Sequence, residues 1–387
     1  MVIAADLLWD GINDKPLSNW GMEIVGERIR NVTPIDQLDT SVEEMVILRD
    51  CTIMPGLIDS HTHLSMDASL ENYLDHMSDP LEELTARAIA MMKKDLDAGI
   101  TTCRCLGDRE FLDVACKEAI ESGLVQGPNI LIATRGIKSP TGHGFVGYPF
   151  EGADEIVRAI RENARAGADL IKIYISGTLK GSGNLPSFLR REEIRIAIET
   201  AHECGLPVAS HCVGGEGLDW ALELGLDTLE HAYHITAEQI EKLSNSNTKL
   251  VLTPGPMLSD QRIQHLPKNL IPGHCEEKDE IYNNMASMIA AKIPFALGTD
   301  GMHGSLHEEI QYAVDMGASH VEALKAATIH GAKVCGIEEN TGSLETSKYA
   351  DLIIVKGNPF QEVSALKNIE MVMKRGDVVV RLDNKET

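Results

Sequence analysis

Short apolar segments alternate with longer amphipathic segments through the middle of the chain. The apolar segments have strand length, and the segments between them repeat at helical spacing. Regular alternation of strands and helices predicts an α/β fold with parallel strands. A count of eight strands favours a (β/α)₈ TIM barrel over a doubly wound open sheet. The predicted strands are residues 57–64, 101–106, 129–134, 170–176, 207–212, 228–232, 249–253 and 294–299, and the clearest helices are 80–98, 154–166, 191–204 and 281–291.

The two ends of the chain have a different pattern. Residues 1–50 and 350–381 contain short alternating segments separated by turn residues, which is typical of antiparallel strands. Neither end is long enough to bury a core of its own. We therefore expect both ends to form one small β-sandwich domain, with bounds 1–55 and 346–387, beside a catalytic barrel of residues 56–345.

Two connections are long for a compact domain. Residues 135–152 follow the third predicted strand, and residues 254–278 follow the seventh. Long loops at the carboxyl ends of barrel strands usually shape the active site. We expect the same of these two.

The first predicted strand ends in His61-Thr-His63. Because strand side chains alternate, the two imidazoles project to one side and can chelate a metal ion. On the fourth strand, Ile171 and Ile173 alternate with Lys172, which places the lysine inside the barrel. A buried ammonium is costly. It requires either an ion pair, for which Asp300 is the candidate, or conversion to an anionic carbamate by carbon dioxide.

Three further strands end in polar residues. His211 and His231 close the fifth and sixth strands, and Asp300 follows the eighth. Each has an ordinary structural role when taken alone, such as a helix N-cap for Asp300. Together with the earlier residues they lie at one rim, where barrel active sites are built. The predicted metal ligands are His61, His63, Lys172, His211, His231 and Asp300.

The charge of the chain limits its partners. Its 35 basic and 59 acidic residues give a formal net charge of −24. A surface this acidic repels phosphate backbones, so no nucleic-acid partner is expected. The chain lacks the run of about eighteen apolar residues that a membrane span requires. We expect a small-molecule substrate, and the sequence leaves a homo-oligomer open.

The first residues and the cysteines bear on the compartment. The N-terminal segment carries acids instead of the basic residues of a signal peptide. Eight cysteines are scattered without a Cys-x-x-Cys pair, so we interpret them as reduced and mostly buried thiols. Both observations predict a cytoplasmic protein.

The order of these motifs resembles the amidohydrolase superfamily over essentially the full chain. Residues 55–63 are similar to the first-strand signature of that superfamily, and residues 350–355 to its C-terminal β-domain. Within it, residues 98–102, 142–144 and 225–231 resemble the prolidase-like dipeptidases that act on Xaa-Pro or Xaa-Arg substrates. The resemblance implies two divalent metal ions, zinc in our prediction, bridged by an N-carboxylated Lys172.

The chain also departs from the prolidase-like pattern. Arg104-Cys105 stands where those enzymes usually have Arg-Asp, and Ser176-Gly177-Thr178 stands where they usually have Ser-Gly-Gly. Both departures put the identity of the substrate in doubt.

The predicted reaction is hydrolysis of an amide (C–N) bond in a small molecule, either a dipeptide or an N-acyl amino acid. A hydroxide shared by the metal ions would attack, with Asp300 as general base and with His143 and Tyr233 as oxyanion or substrate contacts. One alternative is a deaminase or cyclic-amide hydrolase of the same superfamily. The deaminases usually carry a glutamate where this chain has Gly214. Another alternative is a non-catalytic barrel scaffold.

Overall fold

The computed structural model describes residues 1–39, 41, 44–144, 147–181 and 185–381. Strands occupy both ends of the chain and alternate with helices between them. The N-terminal strands are β1 (Val2–Leu8), β2 (Leu17–Val25), β3 (Arg28–Pro34) and β4 (Met45–Pro55). The middle strands are β5 (Leu57–Thr62), β6 (Ile100–Cys105), β7 (Asn129–Ile132), β8 (Ile171–Tyr174), β9 (Val208–Cys212), β10 (Thr228–His231), β11 (Lys249–Leu252) and β12 (Phe295–Leu297). The C-terminal strands are β13 (Leu352–Lys356), β14 (Ile369–Lys374) and β15 (Asp377–Arg381).

The eight middle strands confirm the predicted barrel strands. They pair in parallel as β5-β6-β7 and as β8 to β12 in consecutive order. Isolated backbone hydrogen bonds join the two sheets: Asp300 N donates to His61 O at 2.7 Å, and Ile137 N donates to Lys172 O at 2.8 Å. At the first seam the backbones approach so closely that a Cβ on Gly298 would lie 2.4 Å from the Cβ of His61.

Helices cover the barrel strands on their outer side, where the apolar residues of both pack into one large core. They are α1 (Leu81–Asp97), α2 (Leu112–Glu121), α3 (Ala153–Arg165), α4 (Arg191–Glu203), α5 (Glu216–Glu223), α6 (Ala237–Ser244), α7 (Gly255–Leu258), α8 (Asp260–Gln264), α9 (Ile271–Ala290), α10 (Leu306–Asp315), α11 (His320–Ala326) and α12 (Ile329–Cys335). In the described part of the chain, no helix has the length and apolar character needed to cross a bilayer.

The segment after the seventh barrel strand differs from the prediction. Residues 254–278, expected as a loop, contain α7, α8 and the first part of α9, and the helix expected at 281–291 begins at Ile271. Prolines caused the error. Pro256 and Pro272 stand in the first turns of α7 and α9, where a missing N–H costs nothing, although proline reads as a helix breaker in sequence.

The strands of both chain ends form one sheet in the order β15-β14-β13-β4-β1-β2-β3. Ile29 on β3 and Met373 on β14 share one apolar core although their strands lie far apart in that order. Ala350 N, just before β13, donates to Glu27 O at 2.8 Å. The sheet therefore folds over its own core, as expected for a β-sandwich built from both ends. The bounds of the two domains stay a prediction.

The eight cysteines are free, and Cys51, Cys103, Cys105, Cys116 and Cys212 are buried. Cys103 and Cys105 pack among apolar side chains of β6. Their role in the strand core is confirmed.

Candidate metal centre

The six side chains predicted as metal ligands line one cavity of about 260 Å³ at the carboxyl ends of the barrel strands. Five separate stretches of sequence supply them. Two of these residues have left-handed backbone, His231 with φ 76° and Asp300 with φ 49°. Such conformations cost about 1–3 kcal/mol each and cluster at functional sites. The strained backbone at these two residues therefore marks a functional site, and it lowers the stability of the fold.

Asp300 is the centre of the cluster. Its Oδ1 lies 3.4 Å from His61 Nε2 and 3.4 Å from His63 Nε2. One ligand atom each from His61, His231 and Asp300 lie within 4.8 Å of one another. The spacing is small enough for one ion to touch all three.

Hydrogen bonds to the other ring nitrogens orient the imidazoles. His61 Nδ1 lies 2.8 Å from a carboxylate oxygen of Glu230, and His63 Nδ1 lies 2.6 Å from Gly107 O. His231 Nδ1 lies 2.7 Å from Thr253 Oγ1. A ring that donates through Nδ1 carries its lone pair on Nε2, the atom facing the cavity. The two ring nitrogens of His211 have exchanged roles. Its Nε2 lies 3.4 Å from Gly177 O, and its Nδ1 is left for a ligand.

These lone pairs show that the residues fit a cation. Burial lowers the pKa of His61, His211 and His231, so the rings are neutral. Burial opposes ionisation of Asp300, but the adjacent rings of His61 and His63 outweigh it and hold its pKa well below the usual range. Neutral ring nitrogens facing a carboxylate repel it unless a positive ion lies between them.

Lys172 is fully buried, and its Nζ has no hydrogen-bond partner among the described residues. The ion pair with Asp300 offered as an alternative is wrong, because no carboxylate in that part of the chain lies within 4.0 Å of Nζ. Burial lowers the pKa of Lys172 to about 8. A substantial neutral fraction makes the amine a nucleophile for carbon dioxide, and the resulting carbamate would offer two oxygen ligands.

The two predicted substrate contacts also line the cavity. The ring of His143 stacks on His211 with centroids 4.1 Å apart, and Thr178 Oγ1 lies 3.5 Å from its ring nitrogens. The hydroxyl of Tyr233 donates to Thr253 O at 2.8 Å. Tyr233 must give up that bond before it can donate to a substrate. Their catalytic roles stay a prediction.

The amidohydrolase family model matches residues 52–379, which is most of the chain. The chain belongs to the amidohydrolase family. It is therefore a hydrolase of a metal-dependent family, and the cluster of His61, His231 and Asp300 agrees with that dependence.

This amidohydrolase is similar to known proteins in both sequence and fold. It is 27% identical to the ochratoxinase of Aspergillus niger over 356 residues, which cover 83% of this chain and 73% of that protein. It is 26% identical to the imidazolonepropionase of Fusobacterium nucleatum subsp. nucleatum, covering 81% of this chain and 79% of that one. The crystal structure of a Xaa-Pro dipeptidase with methionine bound in its active site is 28% identical and superposes with a TM-score of 0.88, covering 97% and 98% of the two chains.

The amidohydrolase barrel also contains a charged network that the sequence interpretation missed. Glu230 accepts hydrogen bonds from Arg104 Nη2 at 2.7 Å and from Thr228 Oγ1 at 2.7 Å, and its second oxygen contacts His61. Burial opposes the charge of Glu230, but Arg104 and His61 hold its pKa well below the usual range. The sequence signal that could have revealed this network is the charge of Glu230 and of Arg104, because a charged residue within a barrel strand requires a partner of opposite sign.

Replacing Glu230 with glutamine should destabilise the fold and weaken metal binding together. The substitution keeps the shape but leaves Arg104 buried without a counter-charge, which costs about 3–5 kcal/mol of unfolding free energy. It also loosens His61, so we expect a metal dissociation constant roughly 10–100-fold higher. Urea unfolding and a metal titration measure the two effects.

A matched control for Glu230→Gln is Glu199→Gln, which removes one exposed partner of Arg195 on α4. That change should alter neither quantity, because exposed ion pairs contribute little. Unchanged unfolding and metal binding in Glu230→Gln would show that the charge of Glu230 is dispensable.

Proposed function

We propose that this amidohydrolase cleaves the amide (C–N) bond of a small molecule, a dipeptide or an N-acyl amino acid, with two divalent metal ions, of which zinc is our choice. The observation that carries the proposal is Lys172. Its amine is buried and has no hydrogen-bond partner among the described residues, in a cavity shared with the four histidines predicted as ligands and with Asp300. A carbamate at this position would give that donor set the second anion that a pair of dications needs.

The ligands would be His61, His63, His211, His231, Asp300 and the N-carboxylated Lys172. When bound, the ions supply an acidified water and a Lewis acid for the carbonyl oxygen. Oxygen from water adds to the carbonyl carbon, the C–N bond breaks, and the leaving nitrogen takes a proton. The products are a carboxylate and an amine.

The protein's own groups handle the proton and the substrate. Asp300 would accept the proton of the attacking water at its carboxylate and deliver it to the leaving nitrogen. Burial lowers the pKa of His143 to about 4, so its ring is a neutral hydrogen-bond donor suited to the developing oxyanion. Apolar side chains, among them Met66, Met257 and Leu266, line the rest of the cavity and limit the access of water.

The relatives support an amino-acid substrate. The Xaa-Pro dipeptidase that superposes on this chain holds methionine in its active site. Both chains are covered almost completely by that superposition. A cavity of similar construction in this amidohydrolase would accept an amino acid as the released product.

The position expected for a deaminase glutamate argues against the deaminase alternative. Gly214 has φ 149°, and a Cβ there would lie 2.7 Å from His234 O. A glutamate at this position would force the backbone apart. The deaminase alternative would also leave the buried Lys172 without a role.

The deciding experiment is a substrate screen on metal-loaded protein, with metal per chain measured beforehand. We expect close to two ions per chain and release of free amine from dipeptides or N-acyl amino acids. Metal-stripped protein is the control and should be inactive until it is reloaded. Ammonia release without peptide or acyl cleavage would favour the deaminase. Full metal loading with no turnover of any amide would favour the non-catalytic scaffold.

A further inference from the structure

A lysine outside the cavity is bonded to the loop that carries His143. This loop follows β7, and a hydrogen bond from Phe150 N to Lys138 O at 2.8 Å joins its two ends. The side chain of Lys138 reaches across the loop, and its Nζ donates to Gly144 O at 2.5 Å. That carbonyl belongs to the residue after His143, whose ring lines the cavity. The bond therefore fixes the backbone next to this ring.

The backbone from which Lys138 projects is itself fixed to the barrel. The preceding residue, Ile137, is fully buried and pairs with β8 on both sides. Ile137 N donates to Lys172 O at 2.8 Å, and Tyr174 N donates to Ile137 O at 2.9 Å. Lys138 therefore starts from a rigid point of the barrel wall, and its ammonium ties the loop to that point.

The carbonyl that Lys138 holds lies in a close-fitting turn. Gly144 has φ 108°, and a Cβ there would lie 3.3 Å from Lys138 Cδ and 3.4 Å from Tyr174 Cε1. The backbone of Gly144 is thus enclosed between the lysine side chain and the tyrosine ring. On its other side, the ring of His143 stacks on His211, a predicted metal ligand, with centroids 4.1 Å apart. A continuous set of contacts therefore links Lys138 to the place of the His143 ring.

The position of Lys138 is costly for a charged side chain. It is half-buried, and burial lowers the pKa of its ammonium. No carboxylate among the described residues offsets that cost. A methionine would fill similar space without desolvating a charge. A charge-assisted bond to the carbonyl beside His143 gives the ammonium a use at this position.

We propose that Lys138 is a positioning residue, which acts through the Gly144 carbonyl to hold the ring of His143 beside the developing oxyanion. The inference rests on the proposed function, in which His143 donates to that oxyanion. Lys138 is not among the residues that line the cavity, so it acts on the reaction through His143 and does not touch the substrate. A donor misplaced by about 1 Å can lower a rate by roughly 10²-fold.

The test is a double-mutant cycle on metal-loaded protein, with the amide that is hydrolysed fastest in the substrate screen. Lys138→Met should lower kcat by about 10- to 100-fold and leave KM within about twofold, because the position of the donor matters most in the transition state. His143→Ala should lower kcat by about 10²- to 10³-fold. Adding Lys138→Met to His143→Ala should change kcat by less than about twofold, because a ring that is absent cannot be misplaced.

A matched control is Lys374→Met. Lys374 on β14 is also partly buried and also donates to a backbone carbonyl, Gly127 O at 2.8 Å, but it belongs to the terminal sheet. Its replacement should leave kcat unchanged. Lys138→Arg keeps a cation and a donor and should recover most of the lost kcat. Lys138→Gln is a second neutral variant for use if Lys138→Met does not fold, and it should show the same loss.

The cycle distinguishes positioning from general support of the fold. Equal fold losses from Lys138→Met in the wild-type and His143→Ala backgrounds would show that the lysine acts independently of His143, and would overturn the inference. A wild-type kcat in Lys138→Met would overturn it as well, and would leave the proposed function standing.

Binding of a tetrahedral mimic separates this inference from the proposed function. The phosphonamidate analogue of N-acetyl-L-leucine has a tetrahedral oxyanion at the place of the scissile carbonyl, whereas L-leucine has none. Calorimetry on metal-loaded protein should show that Lys138→Met binds the mimic about 10-fold or more weakly than wild type does, with the affinity for L-leucine unchanged. This result without hydrolysis of any amide would support the positioning role and refute the proposed function. Equal affinity of both proteins for the mimic, or no binding of it by wild type, overturns the positioning role.

Discussion

Replacing Lys172 with alanine should remove metal from the purified protein and lower kcat/KM by roughly 10²- to 10³-fold, on the scale of deleting a principal electrostatic group. The change removes the one amine in the cavity that can become a bridging anion. It leaves the four imidazoles without that counter-charge. Metal per chain and turnover of the preferred amide, measured on the same sample, report both losses.

The carbamate makes a more specific test possible. Short carboxylic acids should partly restore metal and activity to Lys172→Ala, because they can occupy the space of the missing carbamate. Apo wild-type protein freed of carbon dioxide should load metal faster when bicarbonate is added. Lys117→Ala, which removes an ion pair with Asp169 away from the cavity, is the control and should behave as wild type. Full metal content and turnover in Lys172→Ala would contradict the bridging role.

Replacing Asp300 with asparagine should lower kcat by about 10²–10⁴-fold, the usual contribution of a positioned acid–base group. Asparagine fills the same space beside His61 and His63. It cannot accept the proton of the attacking water or return it to the leaving nitrogen. We expect KM to change less than kcat when both are measured at saturating metal.

A matched control for Asp300→Asn is Asp113→Asn. Asp113 is also buried and accepts a backbone hydrogen bond from Thr134, but it lies outside the cavity lining. That variant should keep its kcat. If Asp300→Asn retained wild-type kcat with full metal, another group would have to carry the proton.

The barrel strands and the ligand types were predictable because both are local. Because side chains alternate along β8, Lys172 projects from the opposite face of the strand to Ile171 and Ile173. The structure confirms that the lysine lines the cavity. The spacing of His61 and His63 similarly places both rings at one strand end. A period of two residues needs no knowledge of the rest of the chain.

The helices after β11 were not predictable by the same means. Pro256 and Pro272 interrupt the hydrophobic pattern, although a first-turn proline is compatible with a helix. Arg262 was missed as a result, because its place beside the site depends on α8 folding over the barrel mouth. Glu230 was missed for a related reason, since its partner His61 lies 169 residues away.

Local sequence patterns are enough to identify the residue types at the strand ends, and therefore the available chemistry: imidazoles, a carboxylate and one lysine. Only the folded chain shows which ring nitrogen each histidine presents, that Lys172 has no ion-pair partner among the described residues, and that an arginine shares the cavity. The difference lies in the range of the interactions. Strand alternation acts between neighbours in the chain, whereas tautomers, ion pairs and cavity walls depend on contacts that closure of the barrel creates between distant segments.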